Sequence, residues 1–242
     1  MARLFWFGLG LFVCLTGSAV AQDLSISLGD DGSLATRSLQ LILLVTVLSL
    51  VPGLLIMITC FPYIVTVLAI LRQAIGLQQS PPNMLMVSLA LFLTYFVMEP
   101  VFTDSWNAGI EPAMNDAMPL TEAFTKAIEP FRKFMSARIE PDTFEALASL
   151  RPGVPIDMPI VDAPLSLIVP SFLLSEISRA FQIGFVIFLP FLIIDLVVAA
   201  VLMSMGMMMV PPAIVSLPFK LAFFVVANGW SLIASSLVRS YF

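Results

Sequence analysis

The sequence has no histidine, only two cysteines and few charged residues. Without histidine the chain lacks the usual general base near neutral pH and the commonest metal ligand. No nucleotide, metal or nucleophile motif makes up for it, so the expectation is a protein that is not an enzyme and binds no cofactor or metal. Cys14 lies in a segment expected to be removed, which leaves Cys60 as a small core residue and excludes a disulfide framework within one chain. The net charge of −5 gives no electrostatic support for binding nucleic acid.

What fills the chain instead is apolar. Hydrophobic residues make up 60% of it and charged ones 11%, against about 45–50% and about 25% in soluble domains. The mean hydropathy is +1.03. This composition reads as an all-α integral membrane protein.

The first 21 residues have the layout of a secretory signal. Arg3 supplies the positive start, Leu4 to Leu15 the apolar run, and Ala19-Val20-Ala21 the small-residue cleavage site before Gln22. The competing reading is an uncleaved transmembrane helix; cleavage is favoured because the run is short. Residues 22–40 then form an exported, polar N-terminal arm.

Residues 41–102 read as a first apolar hairpin. Leu41 to Leu71 carries no charge over 31 residues. As one helix it would rise ~46 Å against a hydrocarbon core of ~30 Å, so it must tilt, kink or project. Pro52-Gly53 and Pro62 are the kink points. The link 72–83, with Arg72 and Pro81-Pro82, is placed in the cytoplasm by a thin positive-inside argument. Met84 to Met98 forms the second span, closed by Glu99-Pro100.

Residues 103–165 are the extended polar region, placed on the exported side. Phe124, Ile128, Phe131 and Met135 share one helix face, with Thr121 as a plausible cap and Pro130 bending or splitting the helix. A shorter helix starts at Pro141, with Phe144, Leu147 and Ala148 inward. A small helical domain packed on the membrane part is favoured over a ligand-binding one, since its charges resemble a solvated face.

Residues 166–242 form a C-terminal helical hairpin. Asp195 is the one charge between Phe181 and Leu217, and an ionisable group in such surroundings needs a partner. If the hairpin turns near Met209, Lys220 lies about one helical turn from the level of Asp195. The spacing predicts an Asp195–Lys220 pair, within one chain or between copies. A structural pair is favoured over a proton relay, which needs a chain of titratable groups. Glu176 and Arg179 are placed to pair along one helix. Many prolines in the apolar parts point to a subunit of a larger assembly, because freed carbonyls need neighbours.

The turn "GMMMVPP", Gly206 to Pro212, joins flexible residues to helix breakers. Successive helical residues rotate by ~100°, so Met207, Met208 and Met209 cannot share a face. Pro211 and Pro212 are read as stopping the helix and forming the turn. Gap filling is the plain account of the methionines; a soft sealing cluster is the other.

Residues 181–230, "FQIGFVIFLPFLIIDLVVAAVLMSMGMMMVPPAIVSLPFKLAFFVVANGW", resemble the C-terminal signature of the FliP/SctR type III export gate family. "LRQAIGLQQSPPN", 71–83, and "LALFLTYFVMEPV", 89–101, resemble its other marked regions. The resemblance implies a pore-forming homo-oligomer, in a pentameric arrangement, assembled with FliQ and FliR. FlhB, FlhA and the assembly factor FliO are further implied partners, with membrane lipids around it and unfolded flagellar proteins as export substrates. It places the complex in the bacterial inner membrane, at the flagellar basal body. It assigns Met207, Met208 and Met209 to a gasket, Asp195 and Lys220 to a buried charge pair, and Glu176 and Arg72 to assembly contacts. Tyr63 and Glu99 depart from the family pattern, Tyr63 standing where a basic residue is common. Alternatives are the equivalent subunit of a virulence injectisome, whose relatives generally lack a signal peptide, and an ion-coupled small-solute transporter, which an inverted repeat would support.

Overall fold

The computed structural model describes residues 34–77, 80–152, 158–207 and 209–242. The expected signal segment, the arm as far as Ser33, and Met208 lie outside the described residues. All the regular structure among the described residues is helical, with no strand among them. Ser38–Met57, Asn83–Met114 and Leu165–Ser204 are each long and apolar enough to cross a membrane, and a bent pair near the end adds a fourth candidate. The protein is an all-α membrane protein.

Contacts divide the chain into two units, 1–49 and 50–242. The first helix, α1 (Leu34–Met57), begins in the first unit and passes through Pro52 without ending. From Ser38 to Met57 every residue is exposed. An apolar, uncharged helix of this length suits a lipid surround.

The uncharged run expected as one crossing is divided at Ile58–Cys60, and α2 (Phe61–Ile75) starts there. Pro62 is therefore no kink. It occupies the first turn of α2, where a missing N–H costs nothing. Dividing the run also removes the count of crossings that put the arm and the polar region on one side.

Helix α2 lies at the centre of the second unit. Tyr63, Ile64, Val67, Leu68, Leu71, Ala74 and Ile75 are all buried, and a helix apolar on so many sides belongs inside other helices. Its end is set by Gly76 at φ 92°, a left-handed conformation that glycine adopts without strain. The Leu77 N–H donates back to the Arg72 carbonyl at 3.3 Å. The chain then returns as α3 (Asn83–Ser105).

Glu99-Pro100 does not close α3. The helix runs on to Ser105, because Val97, Met98 and Ser105 on either side of the proline are buried and hold it in register. A π-helical turn, Trp106–Ile110, and the short α4 (Glu111–Met114) follow. The turn brings Gly109 onto α5 (Leu120–Ser136), so that a Cβ there would lie 2.3 Å from the Ala123 carbonyl oxygen. The Ser105 hydroxyl donates to the Ala127 carbonyl at 2.7 Å, across the same contact.

Helix α5 continues unbroken through Pro130, and Pro119 rather than Thr121 stands at its N-cap. Phe131 and Met135 are buried as their spacing predicts, but Phe124 is 69% exposed. The buried position in that turn is Ala123, whose backbone carbonyl, with the small side chain of Ala127, faces Gly109. In α6 (Pro141–Ser149), Phe144 and Ala148 are buried while Leu147 is half-buried.

Helix α7 (Leu165–Ser204) has 40 residues, ~60 Å at the usual rise and twice the hydrocarbon thickness. Its first half packs along α2 and its second half is largely exposed. Gly184 allows the contact, since a Cβ there would lie 2.4 Å from Ile70 Cδ1. Lipid tails are as apolar as leucine, so such close packing holds helices together where hydrophobic burial contributes little. The expected single stretch from Leu221 to Val238 is two helices, α8 (Pro212–Val226) and α9 (Gly229–Arg239). They meet at 62°, where Asn228 has φ 50°.

Candidate functional site

Three local arrangements carry the unusual chemistry. The first joins α2, α7 and α8. Lys220 Nζ lies 2.6 Å from Asp195 Oδ2 within one chain. The same ammonium donates to the Ala74 carbonyl at 3.1 Å. Asp195 Oδ1 accepts from the Ser216 hydroxyl at 2.5 Å. The lysine side chain is 7% exposed and the aspartate 31%, so the cation is the more deeply enclosed partner.

Sequence reading pointed to the two charges but not to Ser216 or Ala74. Ser216 sits one turn before Lys220, on the same face of α8, and that i, i+4 spacing was an available signal. The Ala74 carbonyl had none. It is one of the last carbonyls of α2, which have no partner within their own helix, and a cation there is also favoured by the helix dipole.

The second arrangement centres on Glu176, which is fully buried. Its Oε1 accepts from Arg138 Nε at 3.0 Å and lies 3.6 Å from Arg179 Nη1. Its Oε2 accepts from the Tyr241 hydroxyl. Arg138 Nη1 also donates to the Ser240 carbonyl at 2.7 Å, and its guanidinium lies 4.1 Å from the centre of the Tyr241 ring. Tyr241 in turn stacks on Phe134 and meets Tyr63 edge-on. Burial first, and then the Glu176 charge, raise the Tyr241 phenol above its ordinary value, so it keeps its proton and donates. Sequence reading found Glu176 and Arg179 but missed Arg138 and Tyr241, which are far away along the chain.

Arg72, the other expected contact residue, reaches across its link. Its Nη1 donates to Asn83 Oδ1 and to the Pro81 carbonyl, 3.4 Å away. The side chain thus ties together the two ends of the α2–α3 connection. Tyr63 is buried against Tyr241, and Glu99 is exposed.

The third arrangement is the methionine turn. Gly206, at φ 76°, ends α7. The Met207 N–H donates to the Leu202 carbonyl at 2.9 Å and the Gly206 N–H to the Met203 carbonyl at 3.0 Å, the paired bonds of a glycine-terminated helix. The prolines therefore do not stop α7. Pro211 is the N-cap of α8 and Pro212 begins it, where a fixed φ suits the first turn. Met209 is 96% exposed. Met207, itself exposed, is among the residues lining an apolar groove of about 580 Å³ between α7 and α8, with Val201, Val215 and Phe219.

Among the described residues no group of histidine, cysteine and acidic side chains could hold a metal ion.

Comparison with known proteins bears on the whole of this framework. Residues 44–237 match the model of the FliP family. The flagellar biosynthetic protein FliP of Caulobacter vibrioides is 50% identical over 228 residues, covering 94% of this chain and 85% of that protein. The protein of the same name from Bacillus subtilis is 46% identical over 222 residues, 91% of this chain and 99% of that one. That from Rhizobium meliloti is 44% identical over 236 residues, 95% of each. The family match runs from α1 into α9 and takes in the charge pair, the Glu176 carboxylate and the methionine turn; the chain belongs to the FliP family.

Proposed function

We propose that this chain is a core pore-forming subunit of the flagellar type III export gate, through which unfolded flagellar proteins cross the inner membrane. Copies of the chain assemble with FliQ and FliR in a ring around the pore, next to FlhA and FlhB, with FliO assisting assembly. The observation that carries this reading is the construction of the methionine turn. A glycine-ended helix and a proline-started one hold Met209 outward at a defined place, while Met207 stays against the hairpin. Methionine is flexible and polarizable, so a ring of such tips seals around varied shapes. In one chain alone the turn has nothing to seal.

The Asp195–Lys220 pair supports the same reading by fixing the two arms of the hairpin in register. Glu176 and Arg72 contribute to assembly by holding the elements on which contacts between copies are built. The region 103–165 faces the exported side and the link at Arg72 the cytoplasm. The names of the relatives favour the flagellar system over an injectisome.

The deciding experiment images the detergent-purified complex after co-expression with FliQ and FliR. The expected result is a closed ring with residues 207–209 at its constriction. A strictly monomeric protein, or methionine turns facing lipid, overturns the reading.

A further inference from the structure

The body of the molecule and its polar region are separate stretches of sequence, and among the described residues few polar bonds join them. Most converge on one place. The connector between α5 and α6 carries Arg138 and lies against the turn of α7 that carries Ser171, Ser175 and Glu176. The Glu140 N–H donates to Ser175 Oγ at 3.0 Å, and that hydroxyl donates to the Ser171 carbonyl at 2.8 Å. Beside them, Arg138 bonds Glu176 through Nε and Ser240 through Nη1, while Tyr241 bonds the other oxygen of Glu176. One carboxylate therefore ties the polar region, α7 and the segment after α9.

The components depend on one another. A fully enclosed carboxylate needs all its donors, because a buried charge that loses its partner is strongly destabilising. Arg138 needs the Tyr241 ring for its face and Glu176 for its edge. Tyr241 is held by Phe134 of α5, which stacks on it, and by Tyr63 of α2, which meets it edge-on. Such a joint is either complete or open, with little between.

We propose that Arg138, Glu176 and Tyr241 form a clasp that holds the polar region in the placement from which copies of the chain assemble, with Arg138 and Tyr241 as positioning residues for Glu176. This rests on the export-gate reading for what is assembled. The clasp itself rests on the contacts within one chain.

The native Cys60 reports whether the clasp is shut. It is fully buried and adjoins Thr94 and Tyr63 in the core beneath the joint. The test uses the full chain in membranes co-expressing FliQ and FliR. A maleimide is added, modification of the Cys60 peptide is followed by mass, and assembly is followed on native gels. Tyr241→Phe keeps both ring contacts and removes only the proton donated to Glu176. It is expected to raise the Cys60 labelling rate at least about tenfold, the lower end of the factor for one lost hydrogen bond to a charged group, and to lower the assembled fraction. Arg138→Gln is expected to do more. Adding Glu176→Gln to Arg138→Gln is expected to recover part of the assembly, because the buried group that lost its nearer cation is then neutral. Phe242→Ala, at an exposed residue with no part in the clasp, is expected to change neither signal.

Unchanged labelling and assembly in Tyr241→Phe overturns the clasp. Raised labelling with full assembly overturns its role in assembly and leaves it a packing feature. A wild-type chain that never assembles, with Cys60 still responding to the variants, overturns the export-gate reading separately.

Discussion

Lys220 Nζ donates to the carbonyl oxygen of Ala74 at 3.1 Å, across 146 residues of sequence. That bond changes what the Asp195–Lys220 pair is. Two charges on adjacent arms would fix only the hairpin, but the third contact anchors the hairpin to the end of the central helix α2. Unequal burial then makes the two halves of the pair unequal.

Removing the acid leaves an enclosed cation with one carbonyl, whereas removing the base leaves a partly exposed carboxylate that keeps Ser216. Asp195→Ala is therefore expected to destabilise the chain by about 3–5 kcal/mol, the cost of orphaning a buried charge. Lys220→Met is expected to cost clearly less. Thermal unfolding of both variants in one detergent checks the order, and equal losses would contradict the asymmetry.

Ser216→Ala deletes one hydrogen bond to a charged group without altering packing. The expected loss is about 1.5–3 kcal/mol. In the Lys220→Met background the loss is expected to grow, since Ser216 is then the carboxylate's remaining partner. A double-mutant cycle on unfolding midpoints measures that coupling.

Replacing Met207, Met208 and Met209 together with alanine is expected to leave the fold intact and to increase ion leakage through the closed gate. Met207 and Met209 are both exposed in a single chain, so their side chains contribute little to its core. Conductance of membranes holding the complex is the measurement. Unchanged leakage and secretion would remove the sealing role.

Gly109→Ala and Gly184→Ala separate rigid from yielding contacts. At Gly109 the obstacle is the backbone oxygen of Ala123, which cannot move without shifting α5. At Gly184 it is the end of the Ile70 side chain. Overpacking costs about 1–3 kcal/mol, so both are expected to destabilise. Ile70→Ala is expected to rescue Gly184→Ala, and no single side-chain truncation is expected to rescue Gly109→Ala. Paired unfolding measurements decide it.

Asn228→Val is expected to straighten or loosen the bend between α8 and α9, at a cost of about 1–2 kcal/mol, because a β-branched residue resists positive φ. Asn228→Gly is expected to be near neutral. Distances between spin labels on α8 and α9 report the angle directly.

The sequence by itself determined the class of this protein. Runs of uncharged residues require a membrane or a large apolar core, and the absence of histidine removes most catalysis. A lone aspartate in such a run demands a counter-charge, which left Lys220 as the visible candidate. The methionine turn was legible too, although its stop was credited to the prolines and belongs to Gly206. Local rules read these features because each depends on neighbours within a few turns.

What only the tertiary structure decided depends on distant or featureless partners. The Ala74 carbonyl has no side-chain signature. Arg138 and Tyr241 meet Glu176 only once α6 to α9, the helices between Arg138 and Tyr241 in sequence, have folded. Phe124, in phase with a buried stripe, stays outside, and Ala123 is the buried residue of its turn. The uncharged run from Leu41 to Leu71 breaks at Ile58–Cys60, just ahead of Pro62, which takes the first turn of α2, and passes Pro52 without ending. Periodicity marks which residues avoid water, and packing between helices selects which of them are enclosed by protein.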